Sequence, residues 1–169
     1  MAMATITPAQ IPAVIERMRL DEAERTAQLF TRVLMPLPYY NETAKTSELQ
    51  KYLPNSLRAA QLRDPDSVLI ARTGHEIVGF CFNNIDDGLI WLSWFGVDPD
   101  HRRKGIGSAL LRKLEGTARE GRSHKIWCDC RTENEASKYA LSKQGYVQLC
   151  TCLNHWYGQD FILWEKLVS

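Results

Sequence analysis

Residues 67 to 97 hold three strand-like runs, SVLIART, EIVGFCFNN and LIWLSWFGV, separated only by short turns around Gly74 and Asp87. Links this short cannot carry a helix across a sheet, so the runs must fold back on one another as an antiparallel meander. The next such run, KIWCDC from Lys125, follows a helical stretch with Ile106, Ala109, Leu110, Leu114 and Ala118 on one face, ending near Gly121. A strand reached across a helix is expected to lie parallel to its predecessor. Asn134 then caps a short helix with Ala136, Tyr139 and Ala140 as its apolar face, and Gly145 stops it. Two last strands, YVQLCTC and FILWEKLV, flank the loop NHWYGQD. The expectation is an α/β (α+β) chain built on a mixed sheet.

Upstream, residues 4–66 read as helix-rich. Ile11, Val14, Ile15 and Met18 recur at helical spacing, and Asp21 can cap a run through Ala27, Leu29, Phe30 and Val33. Pro36 and Pro38 break that run and leave Tyr39 and Tyr40 on a bend, and further helical turns are expected between Ser47 and Leu62, interrupted at Pro54. The chain is expected to form one domain over 1–169, with parts at 4–66, 67–146 and 147–169.

Composition sets outer bounds. The chain's 169 residues, 44% of them hydrophobic, suffice for one core, and a formal charge of +1 gives no general attraction to nucleic acid or an anionic membrane. The longest uncharged apolar run, Leu89 to Val97, is far below the ~20 residues of a membrane span. Pro8, Pro12 and Glu16 interrupt the place of a signal peptide. A cytoplasmic protein is expected. Five cysteines, an odd count with two C-x-C pairs at Cys128/Cys130 and Cys150/Cys152, read as reduced thiols and small core hydrophobes rather than a disulfide framework or a zinc site. No metal is expected. Of the histidines, only His155, in the last loop, is placed to reach a bound substrate, and a plain exposed loop histidine is the alternative.

The segment HRRKGIG, residues 101–107, sets three cations before a Gly-Ile-Gly step that opens a helix. Helix N-termini expose unpaired amides, and glycines let a phosphate or pyrophosphate approach them. A simple turn with a solvated basic face is the alternative for Gly-x-Gly alone. A dinucleotide fingerprint fails because Leu110 replaces the third glycine and the strands before it form a meander.

The segment Arg102-Arg103-Lys104-Gly105-Ile106-Gly107 fits the R/Q-x-x-G-x-G/A pattern, and with WFGVDPDHRRKGIGSALL and WCDCRTENEASKYALSKQGY the chain resembles the GNAT superfamily of N-acetyltransferases over Leu89 to Tyr146. IWCDCRTEN and WYGQDFILWEK are most similar to the branch acetylating ribosomal-protein N-termini. The resemblance implies about seven strands splayed between the family's fourth and fifth, and makes 67–146 an acetyl-CoA-binding core, with 4–66 shaping the acceptor side. It implies contacts to acetyl-CoA from Phe95, Gly96 and Val97, whose strand would carry a bulge that turns amides outward. It also implies contacts from Arg102, Arg103, Lys104, Gly105, Ile106, Gly107 and Ser108, and from Asn134.

The activity implied is acetyl transfer to a primary amine, a small molecule or a peptide N-terminus, by direct attack in a ternary complex, in a monomer or homodimer. The alternative is a non-catalytic acyl-CoA-binding sensor or interaction domain. An amine near pKa ~10 must lose a proton before attack. Trp91 stands where many members carry a glutamate base, and Asp129 stands where the alanine-acetylating branch carries one. Asp129 is the expected base, or else a structural carboxylate paired with Arg131 or a neighbouring strand. Leu141 replaces the family's thiolate-protonating tyrosine; Tyr139 lies about 200° away around the helix and is expected in the core, so Tyr157, a water or unaided departure would have to serve. Tyr39, Tyr40, Trp156 and Tyr157 are expected to wall the acceptor pocket, with Asp86 or Asp87 attracting a cationic amine.

Overall fold

The computed structural model describes residues 12–168. Strand β1 (Val14–Arg17) precedes helices α1 (Ala23–Leu34), α2 (Glu42–Lys51) and α3 (Pro54–Arg63); strands β2 (Val68–Thr73), β3 (Glu76–Asp86) and β4 (Leu89–Val97) follow. Then come α4 (Ile106–Thr117), β5 (Lys125–Arg131), α5 (Glu135–Lys143), β6 (Val147–Cys152) and β7 (Phe161–Leu167). Among the described residues the seven strands form one sheet in the order β1-β2-β3-β4-β5-β7-β6. The meander is antiparallel as its turns require, and β4 and β5 are parallel across α4. No helix among the described residues is long and apolar enough to cross a membrane.

Strand alternation divides the core in two. Leu69, Cys81, Leu92, Cys128 and Trp164 pack with Leu110 and Leu114 of α4 and Leu141 of α5. Val68, Ile70, Phe80, Phe82 and Phe161 face the other way, onto Phe30 and Leu34 of α1 and Leu57 of α3. Phe30 is the hub of that second layer, its ring 5.1–5.5 Å from those of Tyr52, Phe80, Phe82 and Trp94.

Several expectations need correction. The helix read through Val14, Ile15 and Met18 is the strand β1, paired antiparallel with β2, and Ile11 lies outside the described residues. Four residues are too few to separate a period of 3.6 from one of 2, and here Ile15 packs on the core while Glu16 bonds Arg72. Asp21 does not cap α1; it lies in a 3-10 turn in which the Arg19 amide donates to Glu22 Oε2 at 2.9 Å. The apolar face of α5 is rotated from the one expected: Leu141 is wholly buried and Tyr139 is 69% exposed. Cys81, Cys128 and Cys130 are buried, but Cys150 is exposed and Cys152 partly so, because β6 is the outer strand and none of the described residues covers that face; their sulfurs lie 3.8 Å apart. β7 separates the two C-x-C pairs.

Gly96 is required sterically: a Cβ there would sit 2.6 Å from Phe80 Cζ and 3.1 Å from Val33 Cγ1. Gly96→Ala is expected to lower stability by about 2 kcal/mol, read as a lower urea midpoint at unchanged m-value.

Candidate active site

The parallel ladder between β4 and β5 consists of Ile90 with Ile126, Trp91 with Trp127 and Leu92 with Cys128. Beyond it the strands part, β4 continuing on β3 to Val97 and β5 on β7 to Arg131. At the parting, the register of β4 on β3 steps from Trp94–Phe82 to Leu92–Asn83, so Ser93 is the extra residue of a bulge. The main-chain groups of β4 past Leu92 therefore face an open gap on the β5 side. A cleft of about 800 Å³ runs through it.

One end of the cleft is the glycine bend. Arg103 (φ 63°) and Gly105 (φ 76°) take left-handed conformations, and Arg102 Nε donates to the Val97 carbonyl at 3.2 Å. The bend delivers the chain into α4, whose first amides, through Ser108, have no partner within the helix. A Cβ on Gly105 would meet nothing within 4 Å, and one on Gly107 only Val97 Cγ2 at 3.8 Å and Phe95 Cε2 at 4.0 Å. Open space thus lies beside both glycines, where the start of α4 borders the cleft. Arg102, Arg103 and Lys104 are exposed, and none forms an ion pair among the described residues. Arg102 and Arg103 line the cleft with Gly105, Ile106, Gly107 and Ser108, whereas Lys104 does not. Phe95, Gly96 and Val97 form the β4 wall; Asn134, which accepts from the Ser137 amide at 3.1 Å, stands on the α5 wall. Cations that form no ion pair among the described residues, beside amides without helix partners, fit a pyrophosphate.

The other end holds Asp129, on β5 just past the last β4–β5 pair. Its partner is Trp156, whose indole Nε1 donates to Oδ2 at 2.7 Å. Arg131 bonds Glu133 instead, so the expected alternative of an Asp129–Arg131 pair does not form. Burial pushes the Asp129 carboxyl up to about 6; the Trp156 hydrogen bond, His155 and Lys51 pull against that rise, and Glu48 adds to it.

The family model for the acetyltransferase (GNAT) family matches residues 28–146. The chain belongs to this family. An acetyltransferase of Pectobacterium atrosepticum is 36% identical over 73 residues, 43% of this chain and 52% of that protein. The chain thus spans about half the length of the curated relatives it matches. Among solved structures, the PaiA N-acetyltransferase of Thermoplasma acidophilum in complex with coenzyme A aligns with TM-score 0.79 at 18% identity, over 92% of this chain and 98% of that one. The ribosomal-protein-S18-alanine N-acetyltransferase of Escherichia coli aligns with TM-score 0.68, also at 18% identity, over 93% and 94%. At such identities the likeness is one of fold. The splayed seven-stranded GNAT sheet is shared, and the likeness does not single out the alanine-acetylating branch.

Within this GNAT cleft, Tyr39, Tyr40, Trp156 and Tyr157 all contribute to the lining, but Asp86, at the end of β3, and Asp87, in the β3–β4 turn, lie outside it. The Tyr157 hydroxyl is already engaged: it accepts from Lys51 Nζ at 2.8 Å and lies 2.6 Å from Glu48 Oε1. Glu48, Lys51, Tyr52, Trp91 and Trp94 also line the cleft. Glu48 is one polar residue among many in ETAKTSELQK, and no spacing rule marks it.

A carboxyl held near 6 when folded carries no ionisation cost below its unfolded range near ~4, and the cost grows as pH rises through about 6. Asp129→Asn is therefore expected to stabilise the fold at pH 8, on the order of 2 kcal/mol after allowing for the open cleft beside it, with the gain vanishing by about pH 4. Thermal melts of both proteins across pH check this.

Proposed function

We propose that the chain transfers an acetyl group from acetyl-CoA to a primary amine by direct attack within a ternary complex. The supporting observation is that one cleft joins the open amides at the start of α4 to Asp129 through the β4–β5 gap. Acetyl-CoA supplies the acyl group as a thioester. In this reading the amides from Arg103 to Ser108, with Arg102 and Arg103, hold the pyrophosphate, and Asn134 touches the cofactor arm. The bulged segment leading to Phe95, Gly96 and Val97 offers main-chain N-H groups to the thioester carbonyl, where charge develops as the amine attacks. Asp129 removes the proton of the incoming ammonium; its raised affinity for protons makes it a stronger base than an exposed aspartate while leaving it mostly ionised at neutral pH.

Leu141, wholly buried at the family's usual tyrosine position, has no proton to give the departing thiolate. That residue favours the second reading, an acyl-CoA-binding sensor that does not turn over. The two separate on CoA thiol release by the purified chain with a panel of amines: acetyl-CoA binding with no release beyond the amine-free rate supports the sensor. For the transferase, kcat/KM is expected to climb with pH through about 6. Asp129→Asn is expected to lower kcat about a hundredfold while leaving acetyl-CoA affinity nearly unchanged. Gly107→Trp, which fills the space before the amides, is expected to weaken acetyl-CoA binding at least about tenfold without lowering the melting temperature by more than a few degrees. Undiminished affinity, measured by calorimetry, would remove the pyrophosphate assignment.

A further inference from the structure

The acceptor end of the cleft has a definite chemistry once its charges are assigned. Among the described residues only two carboxylates line it, Asp129 and Glu48. Glu48 is committed: Oε1 accepts from Lys51 Nζ and from the Tyr157 hydroxyl, each at 2.6 Å, and Oε2 accepts from Trp94 Nε1 at 2.7 Å. At 7% exposure it has no room for another cation. Among the described residues Asp129 accepts only from Trp156, through Oδ2, which leaves Oδ1 without a partner there. The chamber has one place for one ammonium group. A second cationic centre, as in a polyamine, would have no partner there, and a carboxylate next to the amine, as in a free amino acid, would be set against Asp129.

The walls are flat and apolar. Tyr52, Trp91 and Trp94 are each only partly covered by the protein, and Trp156 is 49% exposed, so ring surface remains for a ligand. The loop beside the chamber is also tied down. Asn41 Nδ2 donates to the Tyr157 carbonyl at 3.0 Å, Gln159 Nε2 donates to the Tyr39 carbonyl at 3.0 Å, and the Asn41 amide donates to Gln159 Oε1 at 3.3 Å. These bonds, with the Tyr157–Glu48 contact, strap the turn at His155–Gly158 to the segment leading into α2 and fix the loop that carries Trp156.

We propose that this chamber takes a small aromatic monoamine, an arylalkylamine, with its ammonium on Asp129 Oδ1 and its ring against the indoles of Trp91, Trp94 and Trp156. The assignment rests on the acetyl-transfer reading for its chemistry. The ammonium gives one proton to Asp129, the freed nitrogen lone pair forms the bond to the acetyl carbon, the carbon–sulfur bond breaks with its electrons on the thiolate, and the second proton leaving nitrogen passes through solvent to that thiolate, giving the neutral amide and the CoA thiol.

Two measurements test it. Acetyl transfer from acetyl-CoA is compared for 2-phenylethylamine, tryptamine, propylamine, spermidine, alanine and an alanine-initiated hexapeptide, and the CoA-saturated protein is titrated calorimetrically with 2-phenylethylamine. The aromatic amines are expected to exceed each of the others in kcat/KM by about tenfold or more, the scale of a lost ring contact. The titration is expected to show saturable binding. Trp156→Ala is expected to reduce the ratio of 2-phenylethylamine to propylamine efficiency, while Trp156→Phe, which keeps a ring but not the N-H, preserves the ratio and moves the acidic limb of the pH profile upward. Preference for spermidine, alanine or the peptide would overturn the chamber assignment and leave acetyl transfer standing. Intact acetyl-CoA with every amine would instead overturn the transfer reading; the titration then decides the chamber alone, and absence of 2-phenylethylamine binding would sink it.

Discussion

The premature end of the β4–β5 ladder at Leu92 and Cys128 is the constraint on which this molecule is organised. Backbone N-H and C=O groups in the middle of a sheet normally pair with a neighbouring strand, and a gap there leaves them in want of other partners. The sheet tolerates the gap because each strand is held on its far side, β4 by β3 and β5 by β7. The Ser93 bulge turns β4 away at the point where the gap must begin. What would be a defect in a closed sheet becomes a passage from one face to the other, with a cationic helix start on one side and a carboxylate on the other.

The carboxylate end is defined by an arrangement that no single element contains. Glu48 on α2, Tyr157 in the β6–β7 loop and Trp94 on β4 meet through hydrogen bonds of 2.6–2.7 Å, and the turn they fix carries Trp156 onto Asp129. Tyr157 holds a left-handed conformation at φ 57°, unusual for an aromatic residue and sustained by contacts at both its carbonyl and its hydroxyl. The acetyl-transfer reading thus depends on a base whose environment is assembled by residues spread from position 41 to position 159.

Much of the frame was legible in the chain. Turns too short to hold a helix forced the meander, and the helical stretch before Lys125 forced a parallel strand. The cap at Asn134 and the breaks at Pro36 and Pro54 fell where local chemistry placed them. The lost ground has physical causes. Four residues of β1 do not establish a period, and an edge position such as that of Cys150 depends on strand order, which alternation along one strand does not report. The same limit turned α5: its short pattern ranked Tyr139 as core, while the packing of the sheet buried Leu141. The glycine bend was visible because its conformational demands are local. Glu48 and the Trp156–Asp129 bond were not, since they arise only when distant segments meet.

The attachment of Trp156 to Asp129 joins two properties that are often thought to vary separately. The loop that walls one end of the cleft also sets, through one indole hydrogen, how strongly the neighbouring carboxylate holds its proton. Under the proposed function, insertions, deletions or exchanges in this loop would retune acceptor choice and working pH together. Descendants of this chain could not drift in one trait without dragging the other along.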